Sequence, residues 1–127
     1  MKERILVVDD DGMLHGIIVR LLERLGYEAE SAFSGQEAIG RVEAAHFDLI
    51  CTDFQMPGMN GIELMRYVRT RSPDTAVILM TGHFRDGRVE HAGADAYLPK
   101  PFSADELLSS LALALRERHG RKPPGPA

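Results

Sequence analysis

Read for hydrophobic and polar positions, the chain alternates between short apolar runs and longer segments of helical period. Apolar runs at 5–8, 27–31, 48–52, 75–80 and 94–98 predict five strands. Between and after them, segments 13–25, 35–45, 61–70, 88–92 and 103–118 predict helices, the fourth of them short. The first helix has the fullest pattern: Met13, Leu14, Ile17, Ile18, Leu21, Leu22 and Leu25 recur at helical spacing, and Gly26 ends it. Ser34 with Glu37, and Ser103 with Glu106, have the spacing of a hydroxyl cap reciprocated by a glutamate, which marks two helix starts. Residues 5–8, 49–52 and 77–80 lack polar alternation, as expected of strands buried on both faces. Tyr27-Glu28-Ala29-Glu30 does alternate, which suits an edge strand. Five strand-plus-helix units predict an α/β fold: a parallel sheet with helices on both faces.

Composition narrows the picture. At 127 residues, 44% hydrophobic and 27% charged, the chain is one domain with an ordinary globular balance. No apolar run approaches the length that spans a bilayer, so no membrane partner is expected. Only four apolar residues precede the first acidic cluster, too few for the core of a secretory leader. The single cysteine, Cys51, lies in an apolar run and reads as a buried structural thiol. These features place the protein in the cytoplasm as an expectation. The net charge is -4. It is uneven: from Arg116 onward the chain carries +3, leaving -7 on the body. An acidic body argues against a nucleic-acid surface, which needs clustered Lys and Arg. The domain is expected over residues 1–118, with 119–127, basic and then rich in proline, as a tail or linker.

Chemistry gathers where the strands end, the edge at which open parallel sheets carry their sites. The first strand runs into Asp9-Asp10-Asp11, the third into Asp53, the fourth into Thr81-Gly82 and the fifth into Lys100-Pro101. Carboxylates brought together there repel unless a cation joins them. An all-oxygen set with an open side suits Mg²⁺. A lysine and a hydroxyl beside it supply what a phosphoryl group needs. For Asp11 the simpler reading is a cap on the first helix. The five histidines (His15, His46, His83, His91, His119) show no metal-ligand spacing and read as surface or helix residues.

Four stretches then make the chain resemble the receiver domains of two-component response regulators over roughly residues 3–118. They are Ile5-Leu6-Val7-Val8-Asp9-Asp10-Asp11, the loop from Asp53 through Met56-Pro57-Gly58 to Gly61, Thr81-Gly82, and the run from Ala92-Gly93-Ala94-Asp95 through Tyr97 to Lys100-Pro101-Phe102. Each alone is unspecific; the four in this order and spacing are specific. The resemblance implies a flavodoxin-like (βα)5 fold with strand order 2-1-3-4-5. It implies that Asp53 accepts a phosphoryl group from a sensor histidine kinase or phosphotransfer protein. Asp10, Asp53 and the backbone carbonyl of Gln55 would hold Mg²⁺ directly, and Asp9 through water. Lys100 would pair with the phosphoryl oxygens, followed by a cis bond to Pro101. Thr81 and Tyr97 would relay the change to the face built from the fourth helical segment, the fifth strand and the last helix. Gln55 and His83 would flank the path of the hydrolytic water and tune the lifetime of the phosphorylated state. On this reading the chain is a signalling phosphoacceptor, not an enzyme acting on other substrates.

One departure is the interval from Thr81 to Tyr97, about three residues shorter than the family's usual spacing, equivalent to about one helical turn. It shortens the fourth helix and puts family-standard homodimer geometry through that face in doubt. A competing resemblance is to haloacid-dehalogenase-type phosphatases: Asp9-Asp10-Asp11-Gly12 fits their motif, with Asp9 as nucleophile and Asp11 as general acid. Met13 departs from that motif, and the stretch from Asp53 to Gly61 is left without a role. A third reading is a degenerate receiver acting without phosphorylation; the intact set Asp9, Asp10, Asp53, Thr81 and Lys100 argues against it.

Overall fold

The computed structural model of the chain describes residues 2–82 and 92–120. Five strands, β1 (Arg4–Val8), β2 (Glu28–Ala32), β3 (Leu49–Asp53), β4 (Ala76–Thr81) and β5 (Ala96–Pro99), form one sheet. Their order is β2-β1-β3-β4-β5, and every pair is parallel. Three helices, α1 (Gly12–Arg24), α2 (Gly35–Ala44) and α3 (Gly61–Arg71), and a C-terminal helix (Ala104–Gly120) complete the described elements. The doubly wound α/β architecture expected from the pattern is therefore observed. The short fourth helix, expected over 88–92, and most of the proline-rich tail lie outside the described residues. The C-terminal helix runs to Gly120, two residues into the segment expected as tail.

Strand parity builds the two layers, since alternate side chains of a strand point to opposite faces. Ile5, Val7, Leu49, Cys51, Ile78 and Met80 pack with Ile18 and Leu22 of α1 and with Leu107, Leu111 and Ala114 of the C-terminal helix. Leu6, Val8, Ile50 and Val77 meet Ala38 of α2 and Leu64, Met65 and Val68 of α3 on the other side. β1, β3 and β4 are buried almost throughout, and β2 is the half-exposed edge that its alternation indicated. The Cys51 thiol is 1% exposed. Burial, and secondarily the Asp9 carboxylate, push its pKa up to about 12, so it stays a protonated core group.

The helix starts are set by side chains that satisfy free N–H groups. The Asp11 carboxylate accepts from the amides of Met13 and Leu14, confirming it as the α1 cap. Ser103 and Glu106 form the expected reciprocal pair. Ser34 accepts from the Glu37 amide, but Glu37 reaches the Phe33 amide, one residue before the cap. α3 carries a complete reciprocal cap between Asn60 and Glu63, which the hydroxyl pattern did not reveal because the capping residue is an asparagine.

The apolar stripe of α1 is wider than the face that the sheet covers. Ile18 and Leu22 are buried, whereas Met13 is 80% and Ile17 61% exposed. His15 corrects its surface reading: it sits on α1 but is buried, 2% exposed. A sequence signal existed, because His15, Ile18 and Leu22 fall at i, i+3 and i+7, in phase on one helical face.

Candidate functional site

The parallel sheet carries its strand ends to one edge. Val8 pairs with Thr52 and Asp53 with Met80, so Asp9 and Asp53 leave neighbouring strands at nearly the same level. Ligand oxygens of Asp9, Asp10 and Asp53 all lie within 4.8 Å of one another. Asp9 is fully buried, Asp53 is 8% exposed, and Asp10 stands at the open side. Lys100 reaches in from the end of β5, its Nζ 2.7 Å from Asp9 Oδ2 and 3.3 Å from Asp53 Oδ2. The Lys100–Pro101 peptide bond is cis, as the resemblance implied.

Charge and burial oppose each other in this cluster. Burial raises the pKa of Asp53, Lys100 lowers it, and Asp9 raises it again; the net direction is up. Desolvation depresses Lys100, but its hydrogen bond to Asp9 and the charge of Asp53 outweigh this and hold it protonated. One ammonium serves three carboxylates, so the site retains excess negative charge. Oxygen donors only, crowded and open on one side, fit a small divalent cation such as Mg²⁺.

The loop after β3 is shaped for close approach. Gly61 donates from its amide to the Phe54 carbonyl, and a Cβ on Gly61 would lie 2.5 Å from the Asp53 carbonyl oxygen. The Gln55 amide bonds to the Asp53 carboxylate, while the Gln55 side chain is exposed at the rim. Thr81 ends β4 half-buried, and its carbonyl accepts from the Lys100 amide at 2.7 Å. His83 lies outside the described residues.

Tyr97 is half-buried on β5 beside Leu79, packed on the cluster of Phe54, Ile62 and Leu79. Its hydroxyl accepts from the amides of Gly93 and Ala94 at 3.1 and 3.2 Å. Asp95, beside them, is buried; it accepts from the Val77 amide at 2.8 Å and pairs with Arg69 of α3 at 3.2 Å. The sequence reading missed this tie between α3 and β5, since Asp95 and Arg69 are 26 positions apart.

The geometry also weighs on the competing phosphatase reading. Asp9 has both oxygens engaged, Oδ1 by the Asp11 amide and Oδ2 by Lys100, and no exposed surface from which to attack a substrate. Asp11 is spent on capping α1.

Comparison with known proteins agrees. Residues 5–112 match the response regulator receiver domain family. The chain is 38% identical over 121 residues to the response regulator MprA of Mycobacterium tuberculosis strain H37Rv, covering 91% of this chain and 52% of that protein. It thus spans about half the length of the curated relatives it matches. Its fold is similar to a CheY-like receiver domain protein from Methanospirillum hungatei, with a TM-score of 0.87 and 32% identity over 96% of this chain and all of that one. It is also similar to chemotaxis protein CheY4 of Vibrio cholerae, with a TM-score of 0.82 and 29% identity over 90% of this chain and 99% of that one. An acidic cluster at the strand ends, a lysine bridging its two buried members and the match across nearly the whole folded chain lead to one assignment: the chain belongs to the response regulator receiver domain family.

Proposed function

We propose that this chain is a working phosphoacceptor, taking a phosphoryl group onto Asp53 from the phosphohistidine of a partner kinase or phosphotransfer protein. The observation that carries the reading is Lys100 Nζ, held between Asp9 Oδ2 and Asp53 Oδ2. A fixed cation beside a carboxylate can receive the phosphoryl oxygens as charge builds on them. An Asp53 carboxylate oxygen attacks phosphorus, the phosphorus–nitrogen bond of the donor imidazole breaks, and an acyl phosphate forms on Asp53. This transfer requires alignment and charge neutralisation more than covalent assistance.

Asp10, Asp53 and the Gln55 carbonyl would hold Mg²⁺, with Asp9 contributing through water because both of its oxygens are already engaged. When bound, the cation supplies charge neutralisation for the phosphoryl oxygens. Lys100 and the Thr81 hydroxyl bind the remaining oxygens. Movement of Thr81 toward them frees space for Tyr97 and alters the face that includes β5 and the C-terminal helix, where Leu113 is 44% exposed. Residues 1–118 form the receiver, and 119–127 a tail or linker. Gln55 and His83 modulate hydrolysis of the adduct. No helix among the described residues is long and apolar enough to cross a membrane, which accords with action in the cytoplasm.

The test is to incubate the protein with a small acyl phosphate or BeF₃⁻, with and without Mg²⁺, and map the adduct. An adduct on Asp53 that needs Mg²⁺ and disappears in Asp53→Asn is expected. An adduct on Asp9, or one that persists in Asp53→Asn, would overturn the assignment.

A further inference from the structure

His15 is a buried polar side chain that the proposed transfer does not use. Its Nε2 lies 2.8 Å from the carbonyl oxygen of Ala32, at the end of β2, and 3.1 Å from the amide of Asp9, just past the end of β1. The Asp9 amide itself donates to Ala32 O at 3.2 Å. Ala32 O accepts only if Nε2 carries the ring proton. Nδ1 then holds a lone pair, and it has no partner among the described residues. The other neutral tautomer would bury an N–H with nothing to receive it, which costs more than an unused lone pair. The Phe33 ring lies on the imidazole, with centroids 4.5 Å apart.

At the far side of the acidic loop the His15 amide donates to the Asp11 carbonyl at 3.1 Å, the first intrahelical bond of α1, which does not depend on the side chain. Backbone and ring together bracket the three aspartates: the ring bonds the Ala32 carbonyl that also accepts from the Asp9 amide, and the His15 amide bonds Asp11. Inside the bracket, Asp11 N donates to Asp9 Oδ1, so Asp9 cannot turn without moving the loop. Asp10 is left between two fixed neighbours, at the open side.

We propose that His15 is a positioning residue for cation binding: it locks the loop leaving β1 to the end of β2 and so orients Asp9 and Asp10. The inference rests on the cation site proposed above. Partners that hold a metal ligand in place typically contribute about 10–100-fold in affinity. The effect of His15 belongs at the lower end, since its ring reaches the Asp9 backbone only through the shared Ala32 carbonyl.

Two variants separate positioning from simple packing. His15→Leu fills the space but cannot bond Ala32 O; His15→Gln can bring an amide N–H to the place of Nε2. Mg²⁺ affinity is measured by titration well below the melting temperature. Amide exchange at residues 9–11 is measured in the metal-free protein. His15→Leu is expected to weaken Mg²⁺ binding about tenfold and to speed exchange at 9–11 without change in β3 and β4, and His15→Gln to restore both. Should His15→Leu fail to fold, His15→Asn replaces it, its amide being too short to reach Ala32 O. Mg²⁺ affinity and local exchange equal to wild type in the leucine variant, or equal in the asparagine and glutamine variants, would overturn the proposal. A wild type that binds no Mg²⁺ would instead overturn the cation site, and exchange at 9–11 would still decide whether His15 holds the loop.

Discussion

Asp53 carries two conflicting demands. Its position near the sheet edge excludes water, which favours the neutral acid, while the proposed attack on phosphorus requires the carboxylate. Lys100 reconciles them in part, but burial and Asp9 prevail and the folded pKa remains raised. The linkage follows directly. A folded-state pKa above the unfolded one means that the native protein holds more protons across that interval. The contribution of Asp53 to stability is therefore full below its unfolded pKa and is lost as pH rises through the folded value. Replacing Asp53 by asparagine removes the penalty of the ionised form at neutral pH. The metal-free Asp53→Asn protein should melt about 2–6 °C above wild type at pH 7. The difference should shrink as the pH falls through the range in which Asp53 protonates. Added Mg²⁺ should raise the wild type more than the variant. Calorimetry at several pH values checks all three; a lower melting temperature for the variant at neutral pH would show that the Lys100–Asp53 attraction outweighs burial.

At the scale of elements, the loop from β3 to α3 has little freedom. Asn60 and Glu63 cap α3 reciprocally, which is worth about 1 kcal/mol for a residue of this kind. Gly61 leads that helix directly under Asp53. A methyl group there would press on the Asp53 carbonyl at 2.5 Å, on the Leu79 side chain at 3.0 Å and on the Phe54 Cα at 3.0 Å. Two of these three neighbours are backbone and cannot turn aside. Gly61→Ala should therefore displace Asp53 and slow its phosphorylation by acyl phosphate about 10–100-fold, since small misplacement of a reacting group is costly. The far-UV circular dichroism should stay that of wild type. An unchanged rate would mean that the loop can give way without moving the carboxylate.

Across the whole molecule, both layers are tied to the sheet at the edge opposite the site. Arg118 of the C-terminal helix donates to the carbonyl and carboxylate of Asp48 at the start of β3, far from the site. At the same edge, Arg69 near the end of α3 holds Asp95 just before β5, and the Tyr97 hydroxyl holds the amides of Gly93 and Ala94. Inward rotation of Tyr97 would take the acceptor away from both amides. A phosphoryl mimic can shift that equilibrium only through contacts that differ between the two arrangements, and in the proposed function the Thr81 hydroxyl would supply one. With BeF₃⁻ bound, hydrogen exchange at Gly93 and Ala94 should accelerate at least about threefold, while the buried amides of β1 and β3 stay protected. Unaltered exchange at both amides would show that Tyr97 remains where it is.

The order of elements, the buried character of β1, β3 and β4, and the placing of Asp9, Asp53, Thr81 and Lys100 at strand ends could all be read from the sequence. Those properties depend on period and on immediate neighbours, which a linear pattern records. The match of the four motifs to a known family added the sheet order and the cis bond before Pro101. What only the tertiary structure decided are pairings between residues that no local rule connects. Lys100 meets Asp9 across 91 positions, Arg69 meets Asp95 across 26, and His15 meets Ala32 across 17. The apolar stripe of α1 shows the limit most plainly. Periodicity identified a face, but which part of it the sheet covers depends on how far β1 and β2 extend beneath the helix. Met13 and Ile17 therefore remain in water while His15, a polar residue in the same phase as Ile18 and Leu22, is buried with them.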